Sequence, residues 1–241
     1  MPLPKISTPT YELVLPSNGK KVQYRPFLVR EEKLLVLALE SEDAKEITTA
    51  MKTVIKNCIQ TRGVRVESLP TFDIEYLFLN IRGKSVGEEI EVNVICPDDE
   101  VTTVSVVLNV DDIKVQKSDE HENKIELDDS LIMEMKYPSL DQFIKSNFDF
   151  NDKSAMDQSF DLIASCIDKV IDIKKEEVTS SADVTKKEIT DFLEQMNSKQ
   201  FKQIEKFFET MPKLSHEIKV KNPATGIEST VVLEGLSSFF A

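Results

Sequence analysis

Histidine and cysteine are scarce in this chain, glycine is sparse, and cations are outnumbered by anions. Each shortage removes a class of chemistry. A Ser–His or Cys–His nucleophile needs a base beside it, and the only histidines are His121, in the polar stretch Lys114–Lys124, and His216, just after MPKLS. The first is expected to be solvated, the second to pack at a strand edge. Cys58, Cys96 and Cys166 are an odd count without the dense spacing of a disulfide framework, which suits a reducing compartment. Cys96 precedes Pro97 at an expected hairpin tip, where a zinc ribbon would carry a ligand. A tetrahedral site needs four, this hairpin offers one, and no metal is expected. Cys58 and Cys166 lie on apolar stretches and read as small packing positions.

The glycine shortage bears on phosphate binding. RGKSVG (Arg82–Gly87) imitates the end of a phosphate-binding loop, but Phe78 stands where the earlier glycine belongs. A helix stop with Gly83 at positive φ is the expected reading. Long hydrophobic runs are missing too. Leu34–Leu39 is the longest aliphatic one, far below the roughly 20 residues of a membrane span. MPLPKISTPT lacks the basic and apolar regions of a signal peptide, so an intracellular location is expected. With 43 acidic against 30 basic side chains the formal charge is -13, which opposes phosphate backbones and anionic lipid. Nucleic acid and membrane are not expected partners. The acidic clusters Asp98-Asp99-Glu100, Asp111-Asp112 and Asp128-Asp129 lack calcium-loop spacing and read as solvated turns and strand ends. No pair of carboxylates stands out as an acid/base couple. Neither catalysis nor a cofactor is expected.

What the chain does have is enough apolar residue, 40% of 241, for a sizeable core. It also has an internal echo. VIKNCI (Val54–Ile59) resembles LIASCI (Leu162–Ile167), and YRPFLVREEKLL from Tyr24 resembles YPSLDQFI from Tyr137. A turn between apolar-rich strands precedes each, at Tyr11–Tyr24 and Lys124–Tyr137. Glu89–Ile113 parallels Glu217–Phe239, with Pro97 and Pro223 each followed by a polar turn. Four matches in one order imply a tandem duplication, with modules at 1–115 and 116–241.

Alternation at Tyr11, Leu13, Leu15 and at Leu131, Met133, Met135, Tyr137 is the strand period. Ile74, Leu77, Phe78, Ile81 and Ile189, Phe192, Leu193, Met196 form helical stripes. Capping boxes mark starts at Ser139 with Gln142 and at Thr185 with Glu188. Further helices are expected near 30–39, 41–60, 154–172 and 198–211, and a loop over 174–186. The fold class is α+β: a hairpin, helices and a second hairpin, twice over.

LPSNGKKVQYRPFLVREEKLLVLALES, FDIEYLFLNIRGKSVGEEI and MPKLSHEIKVKNPATGIESTVVLEGLSSFF resemble the baseplate hub family of T4-like (T-even-type) contractile-tailed phages, over nearly the whole chain. The resemblance implies a non-enzymatic hub subunit or hub assembly factor. It would act through contacts with other hub or tail proteins, in the host cytoplasm during assembly and in the virion tail baseplate if retained. Oligomerisation within the assembly stays open. On residues alone, an acidic intracellular adaptor, or an enzyme without a linear site signature, remains an alternative. Arg25, Arg30, Arg82 and Lys84 are candidate contacts for an acidic partner, with internal pairing to Glu31, Glu32, Glu88 and Glu89 as the competing reading. Leu236, Phe239 and Phe240 are further candidates. A phenyl ring left in water forgoes about 2 kcal/mol of burial, so the terminal rings are expected to dock on Phe201, Ile204, Phe207 and Phe208, or on a partner.

Overall fold

In a computed structural model, described over residues 6–140, 142 and 155–239, the chain forms two compact units. One holds residues 1–116 together with 213–241, the other residues 117–212. The first begins with the expected hairpin. Strands β1 (Tyr11–Val14) and β2 (Lys21–Tyr24) pair antiparallel with Tyr11 opposite Tyr24. Their alternation turns Leu13, Val22 and Tyr24 inward.

Three helices follow, α1 (Val29–Glu40), α2 (Ala44–Cys58) and α3 (Thr71–Val86). Asp43 caps α2 by accepting from the Lys45 and Glu46 amides. Helix α3 is the buried one. Its stripe of Ile74, Leu77, Phe78 and Ile81 is covered, and so are Phe72 and Leu79, which leaves it apolar on nearly every side. Gly83 lies inside this helix, not at its end. A Cβ there would meet Val110 Cγ1 at 3.2 Å, so the glycine permits close approach, and the stop falls at Gly87, with φ 141.

Strands β3 (Glu89–Ile95) and β4 (Thr103–Asn109) form a second hairpin in which Ile90, Val92 and Val94 point inward and Glu89, Glu91 and Asn93 outward. Strand β5 (Lys114–Gln116) follows. The chain returns to this unit at β10 (Lys213–Lys221) and β11 (Glu228–Glu234), giving a three-stranded sheet in the order β11-β10-β5. Lys213 pairs with Gln116 and Ser215 with Lys114. This pairing is why a second module running from 116 to 241 does not describe the compact units. The last hairpin completes the sheet that β5 begins.

The unit over 117–212 carries a four-stranded antiparallel sheet, β6 (Lys124–Glu126), β7 (Leu131–Met135), β8 (Ile167–Asp172) and β9 (Glu177–Ser180). Among its described residues are the helices α4 (Ala155–Cys166), α5 (Lys186–Glu194) and α6 (Ser198–Thr210). Met133, Met135, Ile163, Cys166, Leu193 and Phe207 are the centre of its core. The helix expected to reach Asp172 stops at Cys166. The β-branched Ile167, Val170 and Ile171 form a strand instead, and β9 occupies part of the expected loop. The expected start of that helix, Ser154, lies outside the described residues.

Both predicted capping boxes form. Thr185 and Glu188 exchange their bonds at the start of α5, and the Ser139 amide donates to Gln142 Oε1 at 2.7 Å. A third box, Asn197 with Gln200, starts α6.

A short backbone arrangement recurs in the two units. The Arg25 amide donates to the Cys58 carbonyl at 3.0 Å and Tyr24 bridges Ile59. In the second unit the Lys136 amide donates to the Cys166 carbonyl at 2.7 Å, with Met135 opposite Ile167. The tips of three hairpins also share one turn. The Gly19, Glu100 and Gly226 amides, each at positive φ, donate to the carbonyls of Leu15, Cys96 and Asn222 four residues back, and each of those residues precedes a proline.

Candidate functional site

The segment leaving β2 turns its cation inward. Arg25 is buried, and its Nη2 donates to Glu31 Oε1 and to the Asn57 carbonyl, both at 3.0 Å, while Nη1 donates to the Pro26 carbonyl at 2.8 Å. Glu31 Oε2 accepts the Leu28 amide at 2.8 Å, and Oε1 also accepts Arg30 Nε at 2.7 Å. Burial alone would raise this carboxyl. Hydrogen bonds from Arg25, Leu28 and Arg30 outweigh it and hold the group at about 2. The Phe27 amide donates to Ser85 Oγ at 2.9 Å, which ties the same segment to the end of α3. Arg25 and Arg30 therefore meet at one carboxylate. The Arg25 head is enclosed, whereas the Arg30 side chain remains 71% exposed.

Lys84 pairs with Glu88 and lies over the Tyr11 ring, 5.6 Å from its centroid. Arg82 is half-buried, and burial lowers its pKa. Phe239 is fully buried in the 3-10 turn Leu236–Phe239, which packs on β3 and β11. The helix expected to cover it, α6, uses Ile204 and Phe207 in the core of the other unit. The turn finds its apolar cover on the sheet strands instead. The Leu236 side chain and Phe240 lie outside the described residues.

Sequence reasoning missed three polar devices. His121, expected in solvent, is buried between the Tyr137 and Phe207 rings, at centroid distances of 5.5 and 5.1 Å. Its Nδ1 is 3.0 Å from Thr210 Oγ1 and its Nε2 is 3.0 Å from the Tyr137 hydroxyl. Thr210 already donates to the Lys206 carbonyl, so Nδ1 carries the proton that Thr210 accepts, and Nε2 accepts from Tyr137. Burial, and then the charge of Lys117, lower the His121 pKa. The folded state thus prefers neutral imidazole, while the unfolded chain protonates near pH 6.5. Stability from this group is present above that pH and is lost as pH falls toward the lower folded value. Thermal melts between pH 8 and 5 should show the loss in the native protein and a flatter profile in His121→Phe. Equal profiles would contradict it.

Asp98 is the second device. It accepts Asn222 Nδ2 at 3.0 Å on both oxygens, and Thr225 Oγ1 at 2.5 Å, which joins the tip of the β3–β4 hairpin to the tip of β10–β11. The bonds from Thr225 and Asn222 lower its pKa. Replacing Asp98 with alanine should speed amide exchange at Asn222 and Gly226 and leave residues 117–212 unchanged. Unaltered exchange at the tips would show that the bonds do not hold them. Asp73 is the third: buried, its carboxylate accepts both the amide and the hydroxyl of Ser17 in the first hairpin turn, and burial raises its pKa.

The remaining feature is apolar. Val29, Val36, Leu37 and Leu39 on α1 are exposed, and beside them runs a groove between α1 and α2 lined by Leu34, Leu37, Ala38 and Ala50, with Lys45 and Glu46 at its rim. In sequence the signal is the run Leu34–Leu39, six consecutive aliphatic residues that no single face of a helix can hold.

The chain belongs to the T4 bacteriophage base plate protein family, whose family model matches residues 8–241. No curated protein and no solved structure matches it. No helix among the described residues is long and apolar enough to cross a membrane.

Proposed function

We propose that this protein is a non-enzymatic baseplate hub subunit or hub assembly factor of a contractile-tailed phage, working through protein–protein contacts during tail baseplate morphogenesis. The observation that carries the reading is the family match, which extends from residue 8 to residue 241 and takes in both compact units. Side-chain chemistry supports it. Burial raises the thiols of Cys58 and Cys166 to about 11, the reverse of the lowered value of a nucleophilic cysteine. Both ring nitrogens of His121 are occupied by structural partners. The protein acts in the host cytoplasm while hubs form, against other hub or tail proteins.

Removing the gene and supplying the protein in trans tests this reading. Incomplete hubs should accumulate and then convert, and an undiminished yield of complete tails without the protein would sink the proposal. Mass spectrometry of purified particles separates the two roles, since a subunit remains and an assembly factor does not.

A duplicated origin belongs to the same proposal. Its support is the shared backbone link after Cys58 and Cys166. The second unit departs from the first by extending its hairpin into the four strands β6 to β9. An experimental structure in which those two cysteine carbonyls accept unrelated donors would remove the argument.

A further inference from the structure

The inner face of the β3–β4 hairpin is covered on one strand only. Val92 and Val94 on β3 are buried, while Val106 and Val104, opposite them on β4, are half-buried. Beyond β4 this sheet has no further strand among the described residues. The Cys96 amide donates to the Thr102 carbonyl and the Val110 amide to the Glu88 carbonyl, so bonding toward β3 falls on Val104, Val106 and Leu108. The backbone groups of Thr103, Ser105, Val107 and Asn109 therefore point outward, and all four residues are exposed. Proteins ordinarily blunt such an edge by keeping it short, by charge or proline on it, or by a bulge. β4 has none of these: its seven residues stay in register with β3 throughout and include no charge and no proline. The edges of β3 and β11 are as long, but β3 places Glu89 and Glu91 at outward positions and β11 places Glu228 and Glu234 there.

Charge selects the occupant. From Ser85 to Ile113 the chain has eight carboxylates and neither lysine nor arginine. Five of them flank β4: Asp98, Asp99 and Glu100 at the hairpin tip, and Asp111 and Asp112 in the turn after Asn109. The lysines on either side of this stretch are engaged, Lys84 by Glu88 and the Tyr11 ring, and Lys114 by the Tyr76 ring. Lys221, next to the Asn222 that binds Asp98, stands opposite Glu228. A second copy is opposed. The antiparallel register that matches all four outward residues sets Thr103 of each copy against Asn109 of the other, and so carries Glu100 of each to Asp112 of the other. A parallel register sets one acidic tip against its twin. Like charges directly opposite one another destabilise a sheet.

We infer that the open edge of β4 accepts an extended segment of another baseplate protein, one with an uncharged centre and lysine or arginine at both ends. Backbone bonds to Thr103, Ser105, Val107 and Asn109 attach it as a third strand. Its alternate apolar side chains cover the open flank of Val104 and Val106, and its end charges meet the carboxylates at the tip and in the turn. The inference rests on the assembly role proposed above and names the edge that performs it.

The test uses the full chain and a synthetic peptide of about 13 residues, which spans β4 and both acidic ends one residue against one. Its centre alternates valine and threonine, with two lysines at each end, and a twin has glutamates there. Calorimetry should show binding of the lysine version, weakening with salt, and amide exchange at Thr103, Ser105, Val107 and Asn109 should slow. The glutamate twin should bind at least about tenfold more weakly. So should a lysine peptide N-methylated on the amides that face β4, which keeps its side chains and charge and loses its donors. Glu100→Lys with Asp112→Lys, both exposed, should move the preference toward the glutamate twin. Absence of binding, equal binding of the twins, or binding that N-methylation leaves unchanged overturns the inference. So does a native dimer in which those four amides are already protected, which would make the occupant a second copy. Ser105→Pro removes an outward donor at an edge position, where proline is tolerated, and should abolish peptide binding. If that variant fails to fold, the N-methylated peptide still decides, because it leaves the protein untouched. In infected cells, complete hubs formed by a folded Ser105→Pro would refute this edge and leave the assembly role standing, whereas complete hubs without the gene would refute that role itself.

Discussion

Replacing Glu31 with alanine is expected to destabilise the unit built from residues 1–116 and 213–241 by about 3–5 kcal/mol, the usual cost of removing one partner from a buried ion pair. The loss comes mostly from what remains behind. Arg25 is enclosed, and its Nη2 would keep only the Asn57 carbonyl, a neutral acceptor, for a full charge. The Leu28 amide at the start of α1 would lose its acceptor as well. A fall in melting temperature of about 10 °C should follow for a chain of this size. Replacing both partners, Arg25→Met with Glu31→Leu, should recover much of the loss, since two apolar groups of similar volume leave no uncompensated charge. A single variant that melts like the native protein would show that the pair is dispensable.

Acid should have the same effect as the substitution. The Glu31 carboxyl titrates at about 2 in the folded chain against an ordinary 4.5. Its contribution is therefore present above about pH 4.5 and is lost as pH falls toward 2. The gap in stability between the native protein and Glu31→Ala should narrow over that window. Other carboxylates titrate there too, but they are common to both proteins and cancel in the difference.

The knot also shows where sequence reasoning reaches its limit. Residue types set the alternatives for Arg25 and Arg30, an acidic partner or the neighbouring Glu31, because arginine and glutamate six positions apart fit either. Only the closure of β2 onto the end of α2, through the Arg25 amide and the Cys58 carbonyl, brings the guanidinium under cover. Strands and helices with a clean period were legible. β3 alternates without exception, and the stripe of α3 is buried as read. The segment Ile163, Ile167, Val170, Ile171 fits both periods, and there β-branching and the neighbouring strands decided for β8. His121 was misread for a similar reason. Its sequence neighbours are charged, but its cover comes from Tyr137 and Phe207, far along the chain. The joining of 213–241 to the first unit is a property of pairing between β5 and β10, which no local pattern announces.

Phe239 is where a long-range contact should matter most for the end of the chain. Its ring is fully buried, although it sits near the terminus, where backbones usually fray. Among the described residues, three bonds hold the turn that carries it. The Gly235 amide donates to the Leu214 carbonyl at 2.8 Å, the Ser238 amide to the Gly235 carbonyl at 3.2 Å, and the Ser238 hydroxyl to the Glu234 carbonyl at 2.7 Å. Gly235, at φ 72, makes the bend that points the turn back over β3 and β11. Truncating the ring to alanine should cost about 3–5 kcal/mol, because neighbours anchored in strands cannot collapse into the space it leaves. Phe239→Leu should cost less, since much of the volume stays. Deleting Ser238 to Ala241 should cost at least as much as the alanine change, with faster amide exchange along β11 and little change over residues 117–212. If the isolated protein melts unchanged after the deletion while hub assembly fails, the ring serves a partner and its burial here contributes nothing to the fold.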